Sequence, residues 1–148
     1  MRYNYCNALE EYRKIEEILL KRGYTFSLTG SMRRKKSTIG DIDIIIRKKS
    51  SEFEKIMQEI ESFYRIKDRE QFIVESKSGL EVQFIFQEEQ YVYNLWTSTG
   101  SKKHVKRVKE IYDAKNIELP VDTESEAEIY EIAGLKYLEP EEREETEQ

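Results

Sequence analysis

Two aspartates one residue apart, Asp41 and Asp43, open the run GDIDIIIR. On an extended strand, side chains two apart share a face. The spacing therefore sets two carboxylates side by side and sends Ile42, Ile44 and Ile46 to the opposite, buried face. Carboxylates this close repel, and each gains from a neighbouring cation. Hard divalent ions such as Mg²⁺ take oxygen donors in this arrangement and keep room for water or phosphate oxygens. The plainer alternative is that Asp41 caps the strand and Asp43 pairs with a lysine. About ten residues earlier stand Gly30 and Ser31, followed by Arg34. Glycine lets backbone approach a phosphate closely, serine adds a hydroxyl beside free N–H groups, and arginine offers a forked, permanently charged donor. A phosphate cradle followed by paired acids is a combination suited to a triphosphate and its cations.

Two metal ions need a third acid. The later stretch LEVQFIF places Glu81 on one face with Gln83 and Ile85, while Leu80 and Val82 turn the other way. Glu81 is the only acid inside this second strongly apolar strand. A lone strand glutamate is commonly solvent-facing, so both readings stay open on spacing alone.

The elements that must position these residues follow from periodicity. Ala8, Tyr12, Ile15 and Leu19 recur at helical spacing, which predicts a helix over 7–22 stopped by Gly23. YTFSLTG and DIDIIIR predict two strands. Ser51 and Glu54 have capping-box spacing ahead of a helix carrying Phe53, Ile56, Met57 and Ile60 inward. FIVES and LEVQFIF flank KSG as a hairpin. EEQYVYNLW predicts a helix, with Trp96 as a packing anchor and the tyrosines in the core. A second helix after TGS turns Val105, Val108, Ile111 and Tyr112 inward and its basic residues outward, with His104 expected in solvent. Thr123 with Glu126, or Ser125 with Glu128, would cap a last helix ended by Gly134, and EEREETEQ is expected to fray. This order predicts an α+β fold, a mixed β-sheet packed by helices and followed by a small mostly helical unit.

The chain of 148 residues suits one compact domain or a small domain with an appendage. No run approaches the ~20 apolar residues of a membrane span, and the N-terminus lacks the apolar core of a signal peptide. The reading is a soluble protein of the cell interior, cytoplasmic or wherever its DNA is, without a membrane partner. Cys6 is the sole cysteine. That excludes an internal disulfide and a cysteine-built metal site, and leaves Cys6 as a small apolar filler. A net charge of −5 argues against a polyanionic partner, but its distribution argues otherwise. Bases cluster in RRKK at 33–36, in RKK at 47–49 and in KKHVKRVK at 102–109, while acids gather in helix faces and the tail.

Three motifs together resemble a family X DNA polymerase, the group that includes DNA polymerase beta. GSMRRKKSTIGDIDIII is similar to that family's G-S-x-R-R-x(5)-G-D-x-D motif, STGSKKH to its T-G-S segment, and EAEIYEIAGLKYLEPEER to its C-terminal signature. The resemblance implies a nucleotidyltransferase palm over 1–96 and a small thumb with an acidic tail over 97–148. It implies two Mg²⁺ ions (Mn²⁺ substituting) held by Asp41, Asp43 and Glu81 as catalytic residues. One ion would lower the pKa of a primer 3′-hydroxyl and the other would hold the triphosphate. Gly30, Ser31, Arg34, Gly40 and Gly100 would bind the nucleoside triphosphate, with Arg2 assisting. Lys102, Lys103, His104, Arg107 and Lys109 would lie along a DNA primer-template or gapped DNA. The implied activity is a gap-filling, repair-type DNA polymerase, expected as a monomer.

The sequence also departs from that pattern. Glu81 stands where the family has Asp, Thr97-Ser98 replaces an aromatic pair, and Val105 and Lys109 replace Asn and Arg. The family's DNA-gripping units have no counterpart, and the segment at 119–126 is short. Two further readings follow: a nucleotidyltransferase acting on RNA, protein or a small molecule, and an inactive nucleic-acid-binding remnant.

Overall fold

The computed structural model describes residues 2–144. Its organising element is a five-stranded sheet in the order β2 (Phe26–Thr29), β4 (Asp41–Ile46), β7 (Glu81–Phe86), β6 (Ile73–Ser76), β5 (Tyr64–Asp68). β4 and β7 run parallel and every other neighbouring pair is antiparallel, so the sheet is mixed. The β-branched run Ile42, Ile44 and Ile46 is fully buried, as alternation predicts. Helices α1 (Tyr5–Lys21) and α3 (Phe53–Ile60) add Ala8, Tyr12, Ile15, Leu19, Phe53, Ile56 and Ile60 to that same apolar cluster. Asn4 caps α1 by accepting from the Asn7 N–H at 2.8 Å, and Gly23 leaves the helix at φ +71°. Short β1 (Tyr3–Asn4) pairs with β3 (Thr38–Ile39) beside the single-turn α2 (Gly30–Arg33).

Ile45, on the other face of β4, meets Tyr91 and Leu95 of α4 (Tyr91–Thr99) in a small separate cluster. A third cluster joins α4 to α5 (Lys102–Ala114) and α6 (Glu126–Ala133). Trp96 is fully buried among Val105, Val108, Tyr112, Ile129 and Tyr130, and its indole N–H donates to the Tyr130 hydroxyl at 3.0 Å. The packing role expected of Trp96 holds. Ser101 caps α5, its hydroxyl accepting from the His104 N–H, and Gly134 ends α6 at φ +76°.

Several expectations fail for identifiable reasons. β5 was not foreseen, although Tyr64 and Ile66 turn inward between exposed Arg65 and Lys67: the alternation is only two residues deep before the register shifts between Ile66 and Asp68 at this sheet edge. No capping box forms at Ser51. A 3-10 turn at Ser50–Glu52 precedes α3, and Glu52 instead accepts from Tyr24 and pairs with Lys55. The caps foreseen for α6 are also absent. Thr123 bonds the backbone of Ser125, and Glu126 turns toward two arginines. Cys6 is exposed rather than an apolar filler. The described part of the tail holds a 3-10 turn at Pro140–Glu142 closed by a Glu139/Glu142 capping box. The remainder of the expected frayed segment lies outside the described residues. None of the described helices is long and apolar enough to cross a membrane.

Candidate active site

Asp41 and Asp43 sit at the start of β4, on the face opposite Ile42 and Ile44. Parallel pairing puts Glu81 level with Asp41 and Gln83 level with Asp43, so all four side chains share one face. Asp43 carries the sharper perturbation. Burial, and then the Asp41 charge, push its carboxyl up to about 7. Asp41 is also raised, by desolvation and then by Glu81, with Arg2 acting in the opposite direction. Among the described residues neither aspartate has an ion-pair partner, so the lysine pairing that would have made Asp43 purely structural does not occur.

Glu81 is brought beside the pair but not into it. Its carboxylate lies 3.2 Å from Lys67 Nζ, and Lys67 also reaches Glu75 at 3.8 Å. Accordingly, no three acids, histidines or cysteines among the described residues stand close enough to hold one ion. The two aspartates do fit a hard cation: adjacent oxygen donors, Asp43 half-buried and Asp41 open to solvent, mutually repelling, and with no direct ion pair among the described residues, although the Arg2 charge is felt at Asp41.

The glycine-serine turn lies against these acids. A Cβ on Gly30 would fall 2.5 Å from the Asp43 Oδ2, and Gly30 has φ +62°, so both contact and backbone demand glycine. Gly40 faces Arg2, whose Nη1 would be 3.0 Å from a Cβ there; Arg2 itself donates to the Thr38 hydroxyl and carbonyl. Gly100 packs against Arg34, whose Nη1 donates to the Thr99 carbonyl at 2.6 Å. Gly30, Ser31, Arg34 and Gly100 are thus gathered around α2 and the end of α4.

Sequence reasoning missed the seam that holds the end of β2, where α2 begins, to α4. Thr29 is buried, with its hydroxyl 2.6 Å from Ser98 Oγ and 3.3 Å from Thr99 Oγ1. It also missed a buried charge cluster. Arg33 forks onto both oxygens of Glu126 at 2.8 and 2.6 Å, and Arg143, fully buried, donates to the same carboxylate at 3.0 Å. The guanidinium of Arg143 also lies 5.5 Å from the ring centres of Tyr130 and Tyr137.

On α5, Lys102, Lys103 and Arg107 are exposed, and Lys109 lies over the Tyr93 ring at 5.9 Å. His104 is a correction. It is 1% exposed, stacked on Tyr130, with its Nε2 2.7 Å from the Tyr130 hydroxyl, so it is a core residue and not a DNA contact. The spacing contained the signal: His104, Val108 and Tyr112 fall four apart on one stripe.

The family model of the DNA polymerase beta palm matches residues 6–110, which include the glycine-serine turn, both aspartates, Glu81 and the first two turns of α5. The chain belongs to the DNA polymerase beta palm family. That membership places it in the general class of nucleotidyltransferases, and implies nucleotide and DNA binding in general terms. A search of curated proteins gives no match.

Proposed function

We propose that the protein transfers a nucleotidyl group from a deoxynucleoside triphosphate to a DNA 3′-hydroxyl, as a small gap-filling polymerase whose palm is followed by a thumb over 97–148. The observation that carries this reading is the Asp41–Asp43 pair, which makes no direct ion pair among the described residues and whose Asp43 lies against Gly30. Asp41 and Asp43 would hold divalent ions, with Glu81 joining them once released from Lys67. When bound, Mg²⁺ supplies Lewis acidity that favours deprotonation of the attacking hydroxyl and neutralises the departing pyrophosphate. The chain's own residues bind and orient. Burial and the Asp41 charge raise Asp43 to about 7, so near neutral pH an arriving cation would complete its deprotonation. Gly30 and Ser31 present backbone N–H groups and a hydroxyl to the phosphate tail, and Arg34 lends a fork to its oxygens. Lys102, Lys103, Arg107 and Lys109 would meet DNA phosphates, giving an affinity that falls with salt.

The Glu81–Lys67 pair favours a second reading, an inactive nucleic-acid-binding remnant. One assay separates the readings. Labelled dNTP is offered with gapped DNA, single-stranded DNA, RNA and protein acceptors, in Mg²⁺ and in Mn²⁺. Extension of the gapped primer with pyrophosphate release is expected. Label transferred only to a non-DNA acceptor, or salt-sensitive DNA binding without pyrophosphate in either metal, would refute the polymerase reading.

A further inference from the structure

All four cations of the basic run 33–36 are paired with acids from the last quarter of the chain. Arg33 goes to Glu126, Arg34 to Glu144 at 2.6 Å, Lys35 to Glu141 at 3.0 Å, and Lys36 to Glu144 at 3.7 Å. The pairs differ in kind. Arg33 and Glu126 are largely buried, with side chains 19% and 10% exposed, whereas Glu144 is 37% exposed over an Arg34 that is only 16% exposed. The backbone is fastened just before Glu144. Arg143 is sealed in the interior, its Nε donates to the Leu138 carbonyl, and its own carbonyl accepts from the Ser101 N–H. Glu144 is therefore delivered to Arg34 by a fixed anchor, while its side chain keeps a solvent-facing side along which it can leave.

Arg34 offers a fork of N–H groups that suits phosphate and carboxylate alike. Here Nε holds the Glu144 carboxylate and Nη1 holds the Thr99 carbonyl. Hydrogen bonds and charge from Arg34 and Lys36 overcome the desolvation that would raise Glu144, and hold its carboxyl below the ordinary range, so it is ionised at neutral pH. We infer that Glu144 is an internal competitor for the triphosphate: its carboxylate occupies the phosphate-facing side of Arg34, and an incoming polyphosphate must displace it. The inference rests on Arg34 being a phosphate ligand, as proposed above. It assigns to Glu144 a gate on nucleotide entry. A triphosphate, with several charges for Arg34, Lys35 and Lys36 together, outcompetes the carboxylate, whereas inorganic phosphate or a monophosphate meets a site already neutralised.

The test measures binding of inorganic tripolyphosphate to the full chain by calorimetry, at low salt and without divalent metal. Glu144→Gln is expected to bind about 3- to 10-fold more tightly than wild type, as removal of one charged hydrogen-bonding competitor allows. Glu141→Gln, which frees only Lys35, should gain less. In steady-state transfer, Glu144→Gln should lower KM for the nucleotide and leave kcat unchanged. Equal or weaker tripolyphosphate binding by Glu144→Gln, with an unaltered thermal melt, overturns the proposal. So does a gain that persists undiminished in an Arg34→Ala, Lys36→Ala background, because Glu144 would then act elsewhere. Tighter tripolyphosphate binding in a protein that transfers no nucleotide would count against the reaction and leave this contact standing.

Discussion

Replacing Asp43 by asparagine is expected to lower nucleotide incorporation on the order of 10³-fold while making the metal-free protein more stable at pH 8. Both effects come from one carboxylate. In the fold, desolvation and then the Asp41 charge push Asp43 up to about 7; in the unfolded chain it titrates near its ordinary value of 3.8. Between these values the unfolded chain has released its proton and the folded one has not, so wild-type stability falls as pH rises from about 4 to about 7 and then levels off. Asparagine removes that slope. A shift of this size corresponds to about 1.4 kcal/mol per unit, and a carboxylate that keeps some solvent should show about 1–3 kcal/mol in total. In a domain of this size that is a rise of roughly 3–10 °C in the melting temperature at pH 8, and little change at pH 4. Divalent cations should stabilise the wild type and reverse the order. Thermal melts across pH with and without Mg²⁺, alongside primer extension, check the pair of effects. Equal melting at pH 8, or undiminished incorporation, would count against the site.

The second large effect is structural. Glu126→Ala should destabilise the protein by about 3–5 kcal/mol, because it strands two guanidinium groups, one of them wholly buried. Arg33 loses a forked partner and Arg143 keeps only the Leu138 carbonyl, the Tyr137 hydroxyl and two ring faces. The cluster also ties α2, which carries the glycine-serine turn, to α6. Burial would raise the Glu126 carboxyl, but Arg33 and Arg143 bring it below its ordinary value. Its stabilisation is therefore complete above the unfolded pKa and is lost as pH falls through the lowered folded value. Urea denaturation at pH 7 gives the size of the loss. A change below about 1 kcal/mol, the range of an exposed pair, would mean that the cluster is not what holds these elements together.

What could be read in advance divides along physical lines. The alternation of Asp41 to Ile46 shows which way each side chain faces, and the structure keeps it. The helical stripe of α1 and the hairpin of β6 and β7 were equally plain, because each depends on neighbours in sequence. The charge pairs were opaque. Arg33 meets Glu126 and Arg34 meets Glu144 across about a hundred residues, and each partner alone looks like part of a solvated face. That blindness turned RRKK into an open basic patch and left Glu141 and Glu144 as part of an expected frayed end. β5 was missed because its alternation, Tyr64 and Ile66 in with Arg65 and Lys67 out, is short and breaks at the register shift before Asp68. His104 was misplaced because its basic neighbours were given more weight than its spacing to Val108 and Tyr112. Glu81 shows the limit most clearly. Strand register sets it beside Asp41, but the side chain's choice between Lys67 and a cation depends on charge around it, not on the pattern along its own strand.

The claim on which the account stands is that Asp41 and Asp43 together gather divalent cations beside Gly30. Titration of Mn²⁺ into the protein, followed by electron paramagnetic resonance in the presence of a non-hydrolysable deoxynucleoside triphosphate, measures this directly. The account predicts bound Mn²⁺ in the wild type and its loss in the Asp41→Asn, Asp43→Asn double variant, which should remain folded. Equal Mn²⁺ binding by the folded double variant and the wild type would contradict it.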